Sequence, residues 1–367
     1  MYNENDLVSV AKRENNKKRN YLVVNKLQGK HIPVEPCRTL RLFDELAEEI
    51  KNEYKDERLL VIGFAETATA IGSAVAVALD APYTQTTREQ IENVEFLYFS
   101  EEHSHATEQK LVKTDIAPVI GNTDRIIFVE DEVTTGNTIL NIIKVIRNTF
   151  NTDIKFSVLS LINGMDSESA KRYREYGIPA HYILKTDNNN YIPVAEKFSG
   201  NGDYYPPDDS ECKDKKIITV KGCPLNARRL INGGEYKKSC DRLAERIISE
   251  TGAEGTDVLV IGTEEFMYPA IYAGNRISET GCKVYTHSTT RSPITVSKEE
   301  DYPLSARYEL LSLYDEERRT FIYNLRKYDK VVIVTDSANP SERALNVLVN
   351  ALRKNGNDNI YIFKCEN

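Results

Sequence analysis

Short apolar runs alternate along the chain with segments whose apolar residues recur every three or four positions. In the first half, the runs Tyr21–Val24, Leu59–Ile62, Glu95–Phe99, Arg125–Val129 and Lys155–Ile162 predict strands. Between them Phe43, Leu46, Ala47 and Ile50 share one helical face, and so do Ile139, Ile142, Ile143 and Ile146. Strands alternating with amphipathic helices predict an α/β fold, a mostly parallel sheet flanked by helices. The stretch Tyr191–Lys216, rich in Pro, Gly and Asp, breaks this rhythm and predicts a connection between domains.

After that connection the pattern returns. LVIG occurs at Leu60–Gly63 and at Leu259–Gly262, each followed three residues later by a glutamate, Glu66 and Glu265. Thr-Thr-Arg occurs at Thr86–Arg88 and Thr289–Arg291, and an apolar strand with a terminal acid ends at Asp131 and again at Asp336. Features repeated in the same order at similar spacing predict two tandem, diverged α/β domains. Their expected bounds are 1–198 and 216–367, joined by a linker at 199–215.

The chemistry concentrates at Ile126–Thr138, IIFVEDEVTTGNT, where a buried-strand pattern runs into three acids and then a Thr-Gly loop. Charge at the end of a buried strand is costly unless something holds it. With IIFV as a central strand and Thr138 opening the next helix, the loop EDEVTTGN falls outside the carboxyl end of the sheet, where open α/β folds bind ligands. Thr134, Thr135, Asn137 and Thr138 supply hydroxyls and an amide, and Gly136 lets backbone N–H groups turn inward at a helix N-terminus, a setting that favours a phosphate. Glu130 and Asp131 would repel that phosphate but suit a vicinal diol, whose hydroxyls they can accept. Diol and phosphate side by side describe a ribose 5-phosphate.

These residues resemble the phosphoribosyl pyrophosphate (PRPP) motif of type I phosphoribosyltransferases, matched from Ile126 to Thr138 without a gap. The whole chain resembles the orotate-phosphoribosyltransferase-like bacterial proteins with a C-terminal TRSP domain, typically encoded beside tellurite-resistance and stress genes. It carries TRSPI at Thr290–Ile294, GTEEFMYP at Gly262–Pro269 and EEHSHAT at Glu101–Thr107. The resemblance implies two phosphoribosyltransferase-like domains, the second degenerate. It also implies a pentosyl transfer between pyrophosphate and a nucleobase or base-like acceptor. Glu130 and Asp131 would take the ribose hydroxyls and Val133–Thr138 the 5-phosphate. The backbone of Ala65, Glu66, Thr67, Ala68 and Thr69, within GFAETATAIG, would face the pyrophosphate. Mg²⁺ would be carried by the substrate with no direct protein ligand. Glu66 either faces a metal-bridged diphosphate or is a first-turn acid favoured by the helix dipole.

Arg88 and Ser100–Thr107 suit a hood over the leaving group, with Arg88 neutralising pyrophosphate. His103 and His105 suit proton transfer; with Glu101 and Glu102 they also suit a metal site, or the whole loop is simply solvated. Lys30 and His31, in LQGKHIPV, either lie near the acceptor or form a surface turn. The alternative to catalysis is a protein that senses a nucleotide or PRPP, or one that acts within a stress-response complex.

The second domain departs from the motif. Where the first has VEDEVTTGNT, it has VTDSANPSERA, without the Thr-Gly loop and with one acid fewer. Asn339 and Pro340 predict an N-cap and first-turn proline for a helix with Leu345, Leu348, Val349 and Leu352 on one face, ended by Gly356. This half is expected not to bind PRPP in the usual way. Glu265, Arg291, Ser292 and Asp336 would bind another anion, complete the acceptor pocket, or serve structure or dimerisation alone.

Over 367 residues, 48 basic and 56 acidic side chains leave a net charge of −8, no footprint for nucleic acid. The first twenty residues lack a signal-peptide apolar core, and no apolar run reaches membrane-span length. Six scattered cysteines without a C-x-x-C pair predict reduced thiols and a cytoplasmic location. The partners expected are small molecules, PRPP or a nucleotide and a base-like acceptor; enzymes of the family are often homodimers.

Overall fold

The strongest hydrophobic runs become central strands. A computed structural model describes residues 2–14, 19–100, 108–252 and 256–366. In chain order the elements are α1 (Glu4–Leu7), β1 (Val8–Lys12), β2 (Tyr21–Asn25), α2 (Pro36–Lys51), β3 (Leu59–Gly63), α3 (Thr69–Leu79), β4 (Pro82–Gln85), β5 (Phe96–Ser100), β6 (Glu108–Val112), α4 (Lys113–Ile120), β7 (Arg125–Val133), α5 (Asn137–Phe150), β8 (Lys155–Asn163), α6 (Ser167–Glu175) and β9 (Ala180–Lys185). They continue as α7 (Tyr191–Glu196), β10 (Asp203–Tyr205), β11 (Lys216–Lys221), β12 (Ile231–Asn232), α8 (Gly233–Thr251), β13 (Asp257–Gly262), α9 (Tyr268–Ser278), β14 (Lys283–Ser288), β15 (Ala306–Leu311), β16 (Arg319–Tyr323), β17 (Lys330–Thr335), α10 (Glu342–Arg353) and β18 (Ile360–Glu366). Among the described residues no helix is long and apolar enough to cross a membrane.

Two compact units interleave along the chain. The first is built mainly from Arg41–Asn188 and Leu225–Lys238, the second from Glu4–Leu40, Asn189–Pro224 and Ser239–Asn367. Residues 225–238 join the first unit because β12 pairs antiparallel with β4. The stretch 199–215 is not bare chain: β10 pairs parallel with β15, and Cys212 is buried in a core of the second unit.

In the first unit the six-stranded sheet has the order β12-β4-β3-β7-β8-β9, parallel apart from β12. Ile126, Ile127, Phe128 and Val129 are fully buried, since helices cover both faces of a parallel sheet, and Phe128 stacks on Phe156 at 5.9 Å. Burying each such side chain contributes roughly 1.5–3 kcal/mol. The chain leaves β3 through α3 to β4 on one side and leaves β7 through α5 to β8 on the other, so strand order reverses between β3 and β7. Pairing of β3 with β7 stops at Gly63–Val129, whereas β7 stays paired with β8 as far as Val133–Asn163. The strand expected at Arg125–Val129 therefore runs four residues longer. Its acids lie on the strand, not in the loop, because β8 keeps supplying backbone partners.

Two other expected strands form antiparallel hairpins outside the parallel sheets. Tyr21–Val24 belongs to β2, paired with β1; Glu95–Phe99 becomes β5, paired with β6. The second unit has a five-stranded parallel sheet, β11-β18-β17-β13-β14, and a three-stranded sheet, β10-β15-β16. Its α10 is capped by Ser341, whose hydroxyl accepts from the Ala344 N–H at 3.1 Å. Asn339 and Pro340 thus precede the cap instead of forming it. A serine one residue further on satisfies the third-position N–H.

On β14, His287 is buried, its Nε2 donating to the Tyr323 carbonyl at 2.9 Å. Burial lowers its pKa to about 4, and the Lys30 charge acts the same way, against the opposing pull of the carbonyl. The unfolded imidazole takes up a proton near pH 6.5, while the folded one stays neutral until about pH 4. Its stabilising effect is therefore complete above about pH 6.5 and lost as pH falls towards 4, on the order of 3 kcal/mol at most. Denaturant unfolding at pH 7.5 and 4.5 is expected to show a smaller pH loss in His287→Asn than in wild type. Equal losses would rule this histidine out.

Candidate functional site

Strand order reverses between β3 and β7, the place where open α/β folds bind ligands, and the acidic residues of β7 extend there beyond their last β3 partner. Glu130, Asp131 and Glu132 are half-buried and Val133 is buried. The Thr67 hydroxyl donates to Asp131 Oδ1 at 2.8 Å, so the loop after β3 and the acidic strand end meet. Glu132 accepts from Asn188 Nδ2 at 2.7 Å. Alternation along the strand places Glu130 and Glu132 on one face and Asp131 on the other.

Thr134–Gly136 then turn into α5, which starts at Asn137, one residue before the expected Thr138. Gly136 caps the helix at φ +70° without a side-chain cap. Only glycine fits there: a Cβ would lie 2.2 Å from the Tyr173 hydroxyl oxygen, and the φ is left-handed. Two successive loop carbonyls are held by α6. Arg172 donates to the Thr135 carbonyl at 2.8 Å and the Tyr173 hydroxyl donates to the Gly136 carbonyl at 2.7 Å. Asp166 caps α6 by accepting from the Ser169 N–H at 2.7 Å. Burial pushes the Tyr173 phenol well above its ordinary pKa, with the Glu130 charge adding to the effect and Arg172 opposing it.

The segment Phe64–Ala68 joins β3 to α3 at the same end of the sheet. Gly63 and Gly72 let β3 and α3 approach closely, and a Cβ on Gly72 would sit 2.9 Å from the Gly63 Cα. Both backbone polar groups of Ala65 are tied. Its N–H donates to Thr86 Oγ1 at 2.8 Å, and its carbonyl accepts from Gln109 Nε2 at 2.8 Å. The Thr86 hydroxyl donates to Gln109 Oε1 at 2.5 Å and closes the ring. The Ala65–Glu66 peptide is cis, Glu66 is buried and α3 begins at Thr69. Arg88 is half-buried just after the bridge between Thr87 and Lys110. His103, His105, Glu101 and Glu102 lie outside the described residues. Among those described, no group of three or more His, Cys, Asp or Glu could hold a metal ion.

In the second unit a comparable backbone hydrogen bond carries different chemistry. The Thr289 hydroxyl accepts from the Glu264 N–H at 3.0 Å, two residues after Gly262, as Thr86 accepts from Ala65 two residues after Gly63. Where the first unit has Ala65, however, the second has Glu264. Its buried carboxylate accepts from Arg291 Nε and the Ser312 hydroxyl, each at 2.5 Å, and from Arg318 at 3.1 Å. Arg291 also reaches Glu265 at 3.3 Å. Asp336 accepts from the Tyr314 hydroxyl at 2.6 Å, and Ser292 is half-buried beside this cluster. Lys30 is fully buried within the second unit, donating to the Glu264 carbonyl at 2.8 Å and the Thr289 carbonyl at 3.1 Å, and His31 is buried next to it. Neither is a surface turn or a first-unit residue, because Glu4–Leu40 packs into the second unit.

Thr86, Gln109, Arg172, Tyr173 and Glu264 were not apparent from sequence as site residues. Thr86 lies in the repeated Thr-Thr-Arg, and Glu264 lies between the repeated LVIG and its following glutamate, which could have flagged them. Gln109, Arg172 and Tyr173 carry no motif.

Residues 7–185 match the family described as phosphoribosyl transferase, and residues 232–352 match the TRSP domain found C-terminal to it. No curated protein matches the chain. Among solved structures, the adenine phosphoribosyltransferase of Rhodothermus marinus is similar at 16% identity and TM-score 0.37, over 50% of this chain and 96% of that one. The Trypanosoma brucei enzyme, in complex with AMP, pyrophosphate and ribose-5-phosphate, is similar at 13% identity and TM-score 0.34, over 50% and 79%. The Giardia lamblia enzyme, complexed with 9-deazaadenine, is similar at 17% identity and TM-score 0.35, over 49% and 94%.

Proposed function

Because the chain belongs to the phosphoribosyl transferase family that carries a C-terminal TRSP domain, we propose that its first unit transfers ribose 5-phosphate between pyrophosphate, as PRPP, and a nucleobase or base-like acceptor. The observation that carries this reading is the Thr67–Asp131 hydrogen bond at the strand-order reversal, which brings the pyrophosphate-loop candidate and the diol-binding candidate together. Glu130 and Asp131 accept the ribose 2- and 3-hydroxyls. Val133–Thr138 take the 5-phosphate at the start of α5, and the backbone from Ala65 to Thr69 faces the pyrophosphate. Arg88 neutralises charge on the leaving pyrophosphate. The transition state is oxocarbenium-like, so positioning and electrostatics do the chemical work without a protein nucleophile.

Mg²⁺ fits this donor set, because adjacent carboxylates and hydroxyls offer the hard oxygens it prefers. Glu130 and Asp131 would hold it through the ribose hydroxyls, and it would screen the pyrophosphate charge. Unpaired thiols throughout the chain suit a reducing cytoplasm.

The second unit is a diverged copy of the first in this reading, supported by the matched Thr86–Ala65 and Thr289–Glu264 contacts. It does not bind PRPP, since its own Glu264 occupies the arginines and no Thr-Gly loop follows β17. Isothermal titration with PRPP and Mg²⁺ tests the assignment. Saturable one-to-one binding is expected, and its absence would overturn the proposed function.

A further inference from the structure

We infer that Arg172 and Tyr173 of α6 are positioning residues that set the 5-phosphate loop, orienting its backbone N–H groups towards the phosphate. This rests on the phosphoribosyl reading of the first unit. Two adjacent side chains of α6 take two successive carbonyls of the loop, those of Thr135 and Gly136. Each carbonyl shares a planar peptide with the next residue's N–H, and in a trans peptide the two point in opposite directions. Both peptides here are trans, the described cis bonds being Ala65–Glu66 and Cys223–Pro224. Tying the two carbonyls to α6, with the Gly136 carbonyl also accepting from the Leu140 N–H at 3.1 Å, turns the N–H groups of Gly136 and Asn137 away from α6, where the Asn137 N–H meets the Thr135 hydroxyl at 3.3 Å.

The second observation is steric. Tyr173 is 2% exposed, and its ring occupies the space a Cβ on Gly136 would need. It closes the back of the loop as well as bonding to it. Arg172 adds a cation on the same side, where it favours an anion in the loop. A side chain that only filled the core would need neither the phenolic oxygen nor the guanidinium at those carbonyls.

Tyr173→Phe keeps the ring and removes the hydrogen bond; Arg172→Met keeps the length and removes both donor and charge. Ribose 5-phosphate and inorganic pyrophosphate are titrated separately, with Mg²⁺, into wild type and both variants. The expected result is a five- to tenfold rise in the ribose 5-phosphate Kd for Tyr173→Phe and at least as large a rise for Arg172→Met. Pyrophosphate affinity should stay within about twofold, because its loop is held separately by Thr86 and Gln109. Unchanged ribose 5-phosphate affinity in both variants overturns the inference and leaves the proposed function standing. Equal weakening of both ligands overturns it too, by showing a general structural role. Failure of the wild type to bind ribose 5-phosphate overturns the proposed function, and the positioning role with it.

Discussion

Replacing Glu130 and Asp131 together by alanine is expected to abolish measurable PRPP binding while the fold survives. Each carboxylate is assigned hydrogen bonds from a ribose hydroxyl, and such charged bonds contribute about 1.5–3 kcal/mol apiece. Two of them give roughly a 10²–10⁴-fold loss of affinity. The cost to folding is small. Both side chains are only half-buried, and two neighbouring like charges disappear together with the Thr67–Asp131 hydrogen bond. The melting temperature is expected to stay within a few degrees of wild type. Inorganic pyrophosphate binding should persist or strengthen, since removing two negative charges beside it lowers repulsion. Glu132→Ala is the internal control. Its carboxylate already accepts from Asn188, so PRPP affinity should change by about threefold or less. Retained PRPP affinity in the double variant would remove the diol assignment, whatever the fold of the protein.

The contrast between Glu130 and Glu132 shows what the sequence could and could not reveal. Apolar strand, acids, threonines and glycine are contiguous, so their order alone pointed to a sugar phosphate. That Glu132 is held by Asn188, 56 residues away in the chain, could not be read from the motif. The same limit hid Tyr173 and Arg172, each acting on the loop from a separation of 37 residues and from a helix with no distinguishing pattern. Parallel strands were legible because both faces are buried and the runs are continuous. The allegiance of Glu4–Leu40 was not, because β1 and β2 bury short segments against a core formed mostly beyond residue 290. The helix after β17 was legible, but its cap lies two residues beyond the expected Asn339, at Ser341.

Arg291→Ala tests the second unit, and here the expected loss is in stability. Glu264 is 1% exposed and Arg291 10%, so the pair is held away from water. Removing one partner of a buried ion pair typically costs about 3–5 kcal/mol, because the other charge stays buried without compensation. Arg318 and the Ser312 hydroxyl still bond to Glu264, which places the cost near the lower end, about 3 kcal/mol. For a unit of roughly 150–250 residues that corresponds to about 6–12 °C in melting temperature. Glu264→Gln with Arg291→Met removes both charges at similar volume and should recover part of the loss, since buried ion pairs barely outweigh their desolvation, while Glu265 loses its Arg291 contact and Arg318 its Glu264 contact. Scanning calorimetry on the two proteins separates the alternatives. A large drop for Arg291→Ala with recovery in the double variant identifies Glu264 as the arginine's own internal anion. A melting temperature unchanged in Arg291→Ala would mean that the arginine is held for something other than the fold.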